Sequence, residues 1–87
     1  MNQPQLEKKD DRYRMMDMRM NHIQMLFDGD FSGDWFTEMQ TRLPYTYSRI
    51  QFKHDLKEVW RRADLKAKAA LAKAEHVWMM IRKEEKS

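Results

Sequence analysis

The chain contains no cysteine. That excludes a disulfide framework, a thiolate metal site and a cysteine nucleophile. Glycine and proline are nearly as scarce, with two of each, and both glycines fall between Asp28 and Asp34. A phosphate-cradling glycine loop therefore has no material, and neither a nucleotide-binding fingerprint nor a G-x-S-x-G elbow occurs. The three histidines, His22, His54 and His76, are far apart in sequence, without the close spacing of a metal-binding pair. Catalysis is not expected, and no cofactor is implied. No apolar run is long enough to span a bilayer, and the opening residues MNQPQLEKKDDRYR hold no apolar stretch of the kind a secretory signal needs. A soluble, cytoplasmic protein is the expectation.

What the sequence does have is charge, methionine and helical periodicity. Lys and Arg number 17 against 14 Asp and Glu. The distribution is uneven. Residues 1–43 carry six cations and eight anions, whereas residues 44–87 carry eleven and six. The basic second half suits an acidic partner, either nucleic acid or the acidic surface of a protein. Nine methionines are present, five of them between Met15 and Met25. Methionine is flexible and polarizable, so it fills irregular cores and also serves adaptable binding surfaces. Met16 and Met20 are expected in the core. Met15, Met18 and Met25 are expected to contact a partner.

From Ser48 to Lys86 the chain reads as one long helix. Phe52, Leu56, Val59, Ala63, Ala67, Ala70, Ala74, Val77 and Ile81 recur at steps of three and four and define a single stripe. Trp60, Leu71 and Trp78 lie on one flank of it. The segment is rich in good helix formers, and Ser48 supplies an N-cap. At about 1.5 Å per residue such a rod spans roughly 54 Å. A compact chain of this size is only about 30 Å across. The rod must therefore break, with Asp64 the natural place, or present part of its stripe to another chain.

Before it, residues 1–9 read as a flexible tail and residues 10–87 as one small helical domain. Asp10 or Asp11 can cap a first helix that runs to about Phe27, with Tyr13, Met16, Met20, Ile23 and Phe27 on its stripe. A turn from Asp28 to Asp34 follows, then a short helix to Arg42 with Trp35, Phe36, Met39 and Leu43 as its apolar positions, stopped by Pro44. The fold class is all-α: two short N-terminal helices on one long, basic, amphipathic C-terminal helix. Trp35, Phe36 and Trp60 are expected to form the core where short and long helices meet.

Two local patterns bear on function. Asp28, Asp30, Ser32 and Gly33 resemble the first half of a calcium-binding EF-hand loop. The resemblance covers about seven residues and stops there: Phe36 and Met39 stand where a ninth-position oxygen and a twelfth-position bidentate carboxylate would be needed. The expected role is a capped helix–helix turn, with no metal. Near the C-terminus, Val77-Trp78-Met79-Met80-Ile81 covers most faces of a helix and would leave an apolar patch, which marks an interface. Tyr45 and Tyr47 are expected on an accessible connector.

The expected function is a non-enzymatic binding protein that docks on a larger, acidic or nucleic-acid-handling protein. A phage-type modulator or inhibitor of a host nucleic-acid-processing enzyme fits this description. Partner contacts are assigned to Met15, Met18, Met25, Tyr45, Tyr47, Trp78, Met79 and Met80, and contacts to nucleic acid or an acidic partner to Arg61, Arg62, Lys66 and Lys73. One alternative is a nucleic-acid-binding helical module that uses the basic C-terminal helix. Another is a homo-oligomeric structural component joined through the alanine-rich stripe.

Overall fold

The computed structural model describes residues 4–86, and side chains from residue 14 onward. The described residues are all-helical, in the order α1 (Pro4–Asp28), α2 (Trp35–Arg42), α3 (Arg49–Arg62) and α4 (Lys68–Glu85). Of the flexible tail expected at residues 1–9, residues 1–3 lie outside what is described and residues 4–9 are helix, the start of α1; the packing expected of Tyr13 also lies outside what is described. α1 begins well before Asp10. Its first residue, Pro4, suits a helix start because the missing amide would be unpaired there anyway.

The expected long C-terminal helix is two helices. α3 and α4 form a hairpin in which Arg49, at the start of α3, meets Glu84, at the end of α4, at 2.7 Å. Two alanines bound the break, Ala63 with ψ 137° and Ala67 with ψ 140°. Neither angle needs glycine or proline. The Asp64 carboxylate accepts the Lys66 amide at 3.1 Å, a local bond that offers the backbone an alternative to helix. The energetic reason is burial. Folding back places Val77 and Ile81 in the same core as Phe52, Leu56 and Val59, all at most 3 % exposed. The stripe was in phase on both sides of the break, and the turn lets it bury itself.

The α1–α2 turn is a Schellman ending. The Phe31 amide donates to Leu26 O (3.1 Å) and the Asp30 amide to Phe27 O (3.4 Å). The left-handed residue is Asp30, with φ 54°, and neither glycine has a positive φ. Gly33 serves a different need, since a Cβ there would lie 2.6 Å from the Phe31 ring. Asp34 then caps α2 by accepting from the Phe36 amide and the Thr37 hydroxyl, both at 3.0 Å. The Thr37 hydroxyl bond is the main reason the Asp34 carboxyl sits below its usual range. Ser48 caps α3 by accepting from the Gln51 amide at 3.1 Å.

The core draws on all four helices: Met20, Ile23, Leu26 and Phe27 from α1, Trp35 and Met39 from α2, and the buried faces of α3 and α4. Leu43 and Tyr47 from the connector complete it. Met16 is 41 % exposed and is not part of the core, and Leu26, off the expected stripe, takes a core position.

One buried polar group organises the centre. Asp55 is 3 % exposed. It accepts from the Tyr47 hydroxyl (2.5 Å), Arg19 Nε (3.2 Å) and the Gln51 side-chain amide (3.0 Å). A buried carboxylate requires such partners. Here they come from α1, from the connector and from α3 itself. Gln40 on α2 holds the backbone of Tyr47 from both sides, donating to its carbonyl and accepting from its amide.

Candidate docking surface

The largest side chains outside the core gather at the turn end of the α3–α4 hairpin. Trp60 and Trp78 stand with ring centroids 5.7 Å apart and planes at 37°. They are 37 % and 45 % exposed, and Leu65 and Leu71 beside them 44 % and 43 %. With Ala74 and Glu75 these four line a cleft of about 150 Å³. The hairpin explains the placement. Trp60 follows Val59, which points inward, so its ring leaves the core on the flank of α3. Trp78 follows the buried Val77 on α4 in the same way. The two flanks are brought side by side when the helices pair.

Trp60, expected in the core, therefore stands outside it. Trp35, by contrast, is 3 % exposed, and its indole donates to Phe31 O at 2.9 Å. Phe36 is partly buried and lies under the Arg49 guanidinium, 4.3 Å from ring centroid to carbon. A signal for the cleft was present in the sequence. Trp60, Leu71 and Trp78 share a flank of the periodic stripe, and only the break brings Leu65 to join them.

The other partner-binding candidates scatter. Met79 is 67 % exposed, whereas Met80 is half-buried against the core. Met15 and Met25 are exposed, at 40 % and 57 %. Met18 packs on the core. Tyr45 is half-buried, and its hydroxyl donates to Met15 O at 3.3 Å. Tyr47 corrects its expectation most sharply, because it is 2 % exposed and belongs to the Asp55 network.

The basic candidates also separate. Arg61 and Arg62 are exposed, and both pair with Glu58, at 2.5 and 2.7 Å. Hydrogen bonds from Arg61 and Arg62 pull the Glu58 carboxyl down to about 2. Lys66 is exposed at the hairpin turn, next to Leu65. Lys73 lies elsewhere. Its ammonium contacts Asp28 O (3.1 Å) and the Asp30 carboxylate (3.3 Å) and sits 5.9 Å from the Phe27 ring centroid. It edges a second cleft, of about 340 Å³, between the α1–α2 turn and α4. The floor of that cleft includes Phe27, Phe31 and Trp35, and His76 meets Trp35 edge-on.

The EF-hand-like stretch is otherwise occupied. Asp28 accepts from Gln24, Asp30 pairs with Lys73, and Asp34 caps α2. Among the described residues no group of three or more His, Cys, Asp or Glu is placed to hold a metal ion. Among the same residues no helix is long and apolar enough to cross a membrane. Compared with known proteins, the chain matches no family model, no curated protein and no solved structure.

Proposed function

We propose that this chain is a non-enzymatic docking protein that binds a larger protein through the Trp60–Trp78 face of its α3–α4 hairpin. One observation carries the reading: two half-exposed tryptophans in ring contact, flanked by two half-exposed leucines around a cleft. A chain with a marginal core gains by burying its largest apolar side chains. Leaving four of them together in water has a cost that a partner removes on binding. Tryptophan is also the residue most enriched at interface hot spots. The basic second half favours a partner that is acidic or handles nucleic acid, and modulation or inhibition of such an enzyme, as by a phage-type protein, is the role we assign on charge grounds.

Direct binding of nucleic acid is the weaker reading. Two of its four assigned cations are spent on Glu58, and Lys73 is spent on Asp30. Phosphate contact would have to compete with those pairs. The oligomer reading loses its continuous alanine stripe at the break, where Ala67 is exposed and Ala74 is buried inside the hairpin.

The test is capture from nuclease-treated lysate at high salt by the wild-type chain and by a Trp60→Ala/Trp78→Ala variant of unchanged helicity. The expected result is one stoichiometric protein held by the wild type and lost by the variant. Equal capture by both would reject this face as the docking surface.

A further inference from the structure

The second cleft, of about 340 Å³, is built differently from the first. It falls in the size range of small-molecule sites, about 300–1,000 Å³, which combine apolar walls with a few convergent polar groups. Its floor is aromatic, made by Phe27, Phe31 and Trp35. The floor is also fixed. The Phe31 ring lies against Gly33, where a Cβ would meet it at 2.6 Å. The Phe31 carbonyl accepts the Trp35 indole N–H at 2.9 Å. That bond uses the indole's only donor, so Trp35 offers the cleft an apolar surface. Rings held in this way receive a flat ligand without first reorganising.

The polar groups on the lining select the ligand. With histidine neutral, the charged residues that line the cleft are Asp30 and Lys73, and they face each other at 3.3 Å. Their charges cancel. An anion drawn to Lys73 comes up against Asp30, and a cation drawn to Asp30 comes up against Lys73. A neutral ligand meets neither penalty. Hydrogen-bonding capacity narrows the class further. Of the three ammonium donors, one goes to Asp28 O and one faces Asp30, which leaves one. The Asp30 side chain is 70 % exposed and keeps acceptor sites beyond the one that faces Lys73. A hydrocarbon ring would cover these groups without pairing them, at a cost. A flat ring with a carbonyl next to a ring N–H pairs both: the carbonyl accepts from Lys73 and the N–H donates to Asp30.

We propose that this cleft is a small-molecule site for a neutral nucleobase or its nucleoside, with the ring on the aromatic floor and the edge that carries carbonyl and N–H on Lys73 and Asp30. Stacking on aromatic side chains supplies affinity for any base, and the ion pair supplies the choice of edge. A base carried in a strand would bring phosphates toward Asp28 and Asp30, so the free base or nucleoside is the occupant. The site shares no lining residue with the Trp60–Trp78 cleft and does not depend on the docking reading.

The probes are inosine, which has a carbonyl beside a ring N–H; 1-methylinosine, which lacks that N–H; and purine riboside, which lacks both. Benzoate and benzylamine supply charged rings. Each is titrated into the full-length protein and followed by the indole N–H resonance of Trp35 and the methyl resonance of Ala72. The Trp60 and Trp78 indoles serve as internal references. Inosine is expected to shift Trp35 and Ala72 with a Kd of about 1 mM or below, and to leave Trp60 and Trp78 unmoved. The other two nucleosides are expected to bind at least about fivefold more weakly, and the charged rings no more tightly than purine riboside. Lys73→Met keeps an unbranched side chain on α4 and removes the ammonium. Asp30→Asn removes the charge at a left-handed position, φ 54°, that asparagine tolerates. Each should weaken inosine by about fivefold or more and leave purine riboside binding unchanged.

Inosine at about 10 mM that leaves Trp35 and Ala72 unmoved would overturn the proposal. So would equal binding of the three nucleosides, or tighter binding of benzoate or benzylamine than of inosine. A single-stranded inosine oligonucleotide that binds at least about tenfold more tightly than inosine would place the base in a strand and overturn it as well. The nucleoside comparison uses the wild-type chain alone, so it decides the matter even where a variant fails to fold.

Discussion

The Tyr47 hydroxyl donates to the buried carboxylate of Asp55 at 2.5 Å, and that bond joins the α2–α3 connector to the middle of α3. Arg19 reaches the same carboxylate from α1. Three segments therefore meet at one acid in a core that is otherwise apolar. Tyr47→Phe keeps the ring against Phe36 and Phe52 and removes only the donor. The expected loss is about 1.5–3 kcal/mol, the range for a hydrogen bond to a charged group. Asp55→Ala should cost more, about 3–5 kcal/mol, because it strands the largely buried Arg19. Urea unfolding measures both.

The same bond sets an alkaline limit on stability. Burial, then the Asp55 hydrogen bond and charge, push the Tyr47 phenol well above its ordinary range. A folded pKa above the unfolded one gives stability that is complete below the unfolded value, about 10, and declines as pH rises beyond it. The unfolded chain then loses a proton that the folded chain keeps. The difference in unfolding midpoint between the wild type and Tyr47→Phe should shrink between about pH 9 and pH 11. A constant difference would show that Tyr47 ionises equally in both states.

Ala67, the N-cap residue of α4, supplies no side-chain cap, although its backbone is extended as a cap requires. Ala67→Ser or Ala67→Asp should supply the missing acceptor, and aspartate adds a favourable charge at the helix start. The expected gain is about 1 kcal/mol, or roughly 4–8 °C in melting temperature for a domain of this size. Thermal denaturation followed by circular dichroism decides it.

Gly33→Ala tests the turn. The glycine is needed for space beside Phe31 and not for a left-handed backbone. Displacing the Phe31 ring disturbs the segment whose carbonyl receives the Trp35 indole. A loss of about 1–3 kcal/mol is expected, as for other overpacked sites. A blue- or red-shifted Trp35 emission would report the movement.

Much of the helical order was legible in the sequence because the apolar steps of three and four are strong between Phe52 and Ile81. The break was harder to read. Nothing at Ala63 to Ala67 forbids helix, and only the gain from packing Val77 and Ile81 on Phe52 and Val59 selects the hairpin. The cleft was half visible. Trp60, Leu71 and Trp78 shared a flank, but their convergence depends on the turn. Asp55 and Arg19 carried no signal, since an acid on a charged helix and an arginine on another read as solvated. Burial follows from which helices meet, and that is a property of the whole chain. Tyr47 looked accessible beside Pro44 for the same reason.

Glu58 offers a charge test of the hairpin end. Its carboxyl titrates at about 2, held down by Arg61 and Arg62. Carbon-detected NMR titration should find that midpoint, and any contribution to stability is fully present above the ordinary glutamate value and is lost as pH falls from there through the folded midpoint. Glu58→Gln releases both arginines at neutral pH. It should leave the helices unchanged by circular dichroism, because Glu58 lies on the exposed side of α3 with its two arginines.

The account stands or falls on the Trp60–Trp78 face being covered by another protein. The most direct measurement places a photo-crosslinking amino acid at Leu71, inside the cleft, and separately at Ile50, which is 70 % exposed on the far end of α3. Both variants are irradiated in lysate from the cells that make the protein. The account predicts one dominant crosslinked protein from position 71 and none from position 50. The same product from both positions, or none from position 71, would contradict it.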